Sequence, residues 1–191
     1  MQITSLTRRL VGALAAVGLA AACGPVQPGK SAPRYRLEGS VGQVMDLGYD
    51  EARIQASAND VALTFVRVLA LDDTTADGGT SSMVGNIEDI TFKMALALRG
   101  QPQPVQVRVD LTEEDANMNQ RAVFSRNVRN DPRTTFPRIV RGTLYLDRAI
   151  VDDAGIPAEY VGGDFHVTFE NGIEAASGRT VFGNFNAKVM Q

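Results

Sequence analysis

The feature that most limits what this chain folds into is an apolar–polar alternation with a period of two, repeated in separate stretches. Val105, Val107, Val109 and Leu111 alternate with Gln106, Arg108 and Asp110, and Phe165, Val167 and Phe169 alternate with His166, Thr168 and Glu170. Near the C-terminus Val181, Gly183, Phe185, Ala187 and Val189 alternate with Phe182, Asn184, Asn186 and Lys188, while Leu144 and Leu146 alternate with Thr143, Tyr145 and Asp147. Successive side chains of a strand point to opposite faces, so this period makes strands with one dry and one wet face. Residues 51–56 and 61–71 add two more candidates, the second apolar enough for a sheet centre. Breaks rich in Gly, Pro, Asn and Asp fall at 72–86, 100–104, 112–119, 127–137, 152–163 and 171–178.

One segment reads two ways. Asn86 would cap a helix over 87–99 that places Ile87, Ile90, Met94 and Leu98 near one face. The same residues alternate as a strand, with Ile90, Phe92, Met94, Leu96 and Leu98 on one side, and a Gly-Gln-Pro-Gln-Pro turn leads into 105–111. The strand is favoured, because a hairpin partner settles such ties. With about eight strands and little helix, the expected architecture is all-β: an antiparallel two-sheet sandwich over residues 35–191, with a closed β-barrel as the alternative.

At 191 residues the chain is long enough for one core-forming domain. Its 19 basic residues against 22 acidic ones argue against a nucleic-acid binder, which carries a cationic excess. One Cys and one His exclude internal disulfides, Cys-rich or multi-His zinc sites and most Cys–His catalytic pairs. The Gly-Gly pairs at 78–79 and 162–163 lack the residues that follow in a phosphate-binding loop, so no cofactor is expected.

The N-terminus states where the chain goes. Arg8 and Arg9 precede thirteen apolar or Gly residues (10–22) that end in three Ala, and Gly24, Pro25 and Pro28 follow at once. That stretch is short for a membrane span, which needs about 20 apolar residues, and reads as a cleavable secretion signal over 1–22. The lone thiol, Cys23, stands directly after the small residues. Leu19-Ala20-Ala21-Ala22-Cys23 resembles the lipobox of bacterial lipoproteins, with Ala20 where that family most often has Leu. The resemblance covers only the first two dozen residues. It implies a Cys23 acylated at the N-terminus of the mature chain and, with Gly24 rather than Asp following, transport to the outer membrane. Residues 24–33 hold three Pro and two Gly and read as an extended tether, so residues 23–34 form an anchor and spacer of roughly 30 Å.

Within the body, charge is uneven. Seven Arg crowd residues 121–148, whereas 149–178 hold six acids and no Lys or Arg. Pairing between the two segments is expected, each exposed pair contributing under about 1 kcal/mol. The functional alternative is a surface of Arg126, Arg129, Arg133 and Arg138 for an acidic envelope glycan, since guanidinium forks match carboxylate and phosphate. Asp72, Asp73 and Asp77 lack the spacing of a calcium loop and read as a solvated turn, so no metal site is expected. Glu113, Glu114 and Asp115 form an acidic tip, His166 a wet-face residue without a role, and Tyr35, Tyr49, Tyr145 and Tyr160 packing residues whose hydroxyls reach solvent. With 6% aromatic residues, no Trp and Phe mostly at inward strand positions, no sugar-stacking platform is evident. The expected function is a non-catalytic binding or scaffolding domain on a lipid anchor, its partners the membrane and an envelope protein or acidic glycan. A carboxylate-dependent glycan-acting enzyme is the alternative.

Overall fold

The computed structural model describes residues 33–70, 86–98 and 108–190. The expected signal over 1–22, Cys23, residues 24–32 of the expected tether, the 72–77 aspartates and the turn at 100–104 lie outside the described residues. The described part is all-β apart from a single 3-10 turn at Ser40–Gln43. Its strands are β1 (Tyr35–Arg36), β2 (Gly48–Tyr49), β3 (Glu51–Ala56), β4 (Asp60–Ala70), β5 (Asn86–Ala97), β6 (Arg108–Asp110), β7 (Ala122–Val128), β8 (Thr134–Thr135), β9 (Ile139–Leu146), β10 (Tyr160–Phe169) and β11 (Thr180–Met190). Nine of them form one sheet in the order β6-β9-β10-β11-β3-β4-β5-β7-β8, and β1 pairs with β2.

The alternation becomes the sheet's two faces as the sequence requires. Phe165, Val167 and Phe169 are buried and His166 and Glu170 exposed; Phe185 is 5% exposed and its neighbour on the other face, Phe182, 36%. The sheet curls so that its halves face each other as sandwich layers. Phe65 on β4 meets Phe165 on β10 at 6.0 Å between ring centres, and Phe124 on β7 meets Phe169 on β10 at 5.7 Å. These pairs join strands far apart in the sheet order, so the core is the apolar surface shared by both halves.

Three details differ from the sequence reading. The 87–99 segment is a strand, but its partner is not 105–111. Both edges of β5 are occupied, by β4 and β7, and β6 pairs instead with the outer side of β9. The sheet is mixed rather than wholly antiparallel, because β11 runs parallel to β3 over Lys188–Met190. Finally, β7, absent from the sequence reading, is a full strand.

The β11–β3 pairing is short, and the chain before β3 lies beside it. Glu38 bridges Phe182 on β11, and Leu37 N–H donates to the Leu47 carbonyl. The Arg67 guanidinium donates to the Gly48 carbonyl at 2.9 Å through Nε and pairs with Asp46 at 2.8 Å. Asp50 accepts the Val68 N–H where β4 breaks register with β5. At the other seam the Gln120 amide joins the segment before β7 to β9. Its Nε2 donates to the Ile139 carbonyl and its Oε1 accepts the Ile139 N–H, each at 2.8 Å. Phe136 packs between Phe92 and Phe169 beside this clasp.

Candidate functional site

The outer face of β9–β10–β11, with β6 at its margin, gathers side chains that sequence order keeps apart. Because neighbouring strands are antiparallel here, register alone defines rows across the face. One row runs Arg108, Tyr145, Asp164 and Asn184; the next runs Asp110, Thr143, His166 and Phe182. A third sets Arg141 opposite Thr168 and Thr180. Directly opposed side chains in such a sheet lie about 5 Å apart, so each row is a continuous strip of chemical groups.

Tyr145, Tyr160 and Phe182 are exposed although large and unsaturated, and His166 packs on Phe182 with ring centres 5.6 Å apart. Arg108, Arg141, Asp164, His166 and Asn184 make no side-chain hydrogen bond or ion pair among the described residues. Beside the rings, a shallow groove of about 390 Å³ is lined by Arg108, Asp110, Thr112, Val140, Arg141 and Thr143. β10 is hydrogen-bonded along both edges, to β9 and to β11, so a ligand that lands on this face meets side chains.

The four arginines singled out by sequence go to different surroundings. Arg126 lies on the inner face, opposite Phe92, and its buried Nε has no partner. Arg133 donates to Ser125 Oγ at 3.0 Å on the other face of the same strand. Arg138 is ion-paired with Glu114, and Arg129 is exposed at the end of β7, its backbone N–H on the Asp89 carbonyl.

Nor do the arginines of 121–148 find the acids of 149–178. Arg121 pairs with Glu113 at 2.6 Å, Arg138 with Glu114, and Arg148 with Asp147 at 3.2 Å. The reason is register, which sets Arg141 against Thr168 and Asp164 against Tyr145. The acidic tip is likewise committed: Glu113 and Glu114 to those arginines, and Asp115 to the N–H groups of Asn117 and Asn119.

The tyrosines divide. Tyr35 donates to the Asn186 carbonyl at 2.7 Å, and Tyr145 and Tyr160 face outward as expected. Tyr49 departs from expectation, being wholly buried with a hydroxyl that makes no hydrogen bond of ordinary geometry. Burial pushes its phenol up to about 12, the nearby Arg126 and Arg67 charges offsetting only part of that cost. The outward aromatic group is not visible along the chain, because Tyr145, His166 and Phe182 become neighbours only through strand pairing. The usable signal was Phe182, which alternation already put on the wet side of β11.

No family model, curated protein or solved structure matches this chain.

Proposed function

We propose that the protein is a lipid-anchored lipoprotein of the bacterial envelope whose β-body binds another envelope component and does no chemistry on it. The observation that carries the binding role is the outward face of β9–β10–β11, where large rings stand in solvent with polar groups that have no partner among the described residues. Polar side chains with no internal partner and rings with no covering surface are free to engage a ligand without breaking existing bonds. The anchoring half of the reading rests on Leu19-Ala20-Ala21-Ala22-Cys23 and the Pro- and Gly-rich spacer after it. Acyl chains contribute about 0.8 kcal/mol per buried CH₂, and more than one chain makes retention effectively permanent. Gly24 in place of an acid fits the outer membrane.

Fractionation of cells tests the anchor. The native protein is expected in the membrane pellet after a high-salt wash, and Cys23→Ala in the soluble envelope fraction. A Cys23→Ala protein that stays with salt-washed membranes would overturn lipid attachment as the means of retention.

A further inference from the structure

We propose that the outward face of β9–β10–β11 binds a neutral glycan strand. The proposal rests on the binding role given above and names its ligand class. Three properties of the face select a sugar polymer. The first is ring chemistry. Tyr145, His166 and Phe182 occupy adjacent strands, with Tyr145 diagonal to His166 and His166 directly opposite Phe182. The C–H face of a pyranose is weakly positive and settles on the negative face of an aromatic ring. Rings on three neighbouring strands offer successive sugars a track that crosses the sheet.

The second is the set of polar groups among the rings. Asp164 and Asn184 sit side by side in the Arg108–Tyr145 row, and both lack internal partners among the described residues. Carboxylate, amide and guanidinium groups are planar and paired, and so engage two neighbouring hydroxyls at once.

The third is charge. Arg108 shares a row with Asp164, and Arg141 and Asp110 add one charge of each sign to the same face. A polyanion would meet as much repulsion as attraction, whereas an uncharged polyhydroxylated chain meets none. An added peptide strand needs a free sheet edge, whereas the rings stand on β9, β10 and β11, which lie inside the sheet order. Aromatic and Arg side chains also suit a folded protein partner, which the cross-linking arm of the test distinguishes from a glycan.

The test uses the full-length protein in detergent, sedimented with insoluble chitin and with cellulose, and separately passed over beads carrying a polyuronate. Retention on at least one neutral polymer is expected, unaffected by salt. Tyr145→Ala and Phe182→Ala are each expected to weaken it roughly three- to tenfold, the range an aromatic contact is worth. Lys93→Ala, in β5, is expected to leave it unchanged. Thermal melts that match the native protein establish that the variants are folded.

Retention on the polyuronate alone, abolished by salt, would overturn the neutral-glycan assignment. So would retention on a neutral polymer that is equal in all variants. If no polysaccharide is retained but a membrane protein cross-links to native protein and not to Tyr145→Ala, the glycan assignment falls and the binding role stands. If neither occurs, both fall.

Discussion

Phe65→Ala is expected to lower folding stability by about 3–5 kcal/mol, the usual cost of removing a fully buried phenyl ring. Phe65 is 0% exposed and its ring lies between 5.9 and 6.4 Å from those of Tyr35, Tyr49, Phe92, Phe165 and Phe185. Those partners come from β1, β2, β5, β10 and β11, so the ring joins both halves of the curled sheet to the segment that precedes β3. Deleting it leaves a cavity bounded by elements that cannot all move inward together, because each is held in its own ladder. Domains of this size have about 5–15 kcal/mol to lose in all. Urea unfolding monitored by tyrosine fluorescence checks the value: the midpoint should fall with the slope unchanged. Phe182→Ala, at an exposed ring of the same residue type, should shift the midpoint little. A loss under about 1 kcal/mol at Phe65 would mean that the facing halves do not share this core.

Gly163→Val is expected to be nearly as damaging, for the opposite reason. A Cβ at Gly163 would lie 2.0 Å from the Tyr145 carbonyl oxygen and 2.8 Å from Phe185 Cζ. The carbonyl belongs to β9, whose pairing with β10 sets Gly163 opposite Leu146, so relief requires the strands to part. Overpacking of this kind costs about 1–3 kcal/mol, and a clash with fixed backbone belongs at the upper end. At about 2–4 °C per kcal/mol, the melting temperature should drop by about 6–12 °C. The adjacent Gly162→Ala provides contrast. Its Cβ would meet the Asp147 carboxylate at 2.6 Å, the mobile end of a side chain, and should cost much less. Equal melting temperatures for the two variants would contradict the register assigned to β9 and β10.

How much of this was legible in the sequence follows from how each piece is encoded. Strands β10 and β11 read directly, since each keeps a clean dry side and wet side. Strand β7 did not. In Ala122–Val128 an exposed Val123 stands on the wet side and Arg126 on the dry side, so charge and apolarity contradict the alternation. The β5 strand was recovered from its own pattern, but its neighbours were not, because pairing across the sheet is decided by which edges remain open.

The same distinction governs the candidate site. Seven arginines in 28 residues look like a patch when counted along the chain. In the fold, alternation turns Arg126 inward, while Arg133 lies against Ser125 on the opposite face. Conversely, Tyr145, His166 and Phe182 are unremarkable where they stand in sequence and adjacent only after three strands have paired.

The proposed attachment of this body to a membrane through Cys23 is tested most directly by the intact mass and N-terminal peptide of protein purified from membranes. The expected result is a chain that starts at Cys23 and carries fatty acyl groups on that residue. A chain that begins downstream, or retains Cys23 as an unmodified thiol, would contradict it.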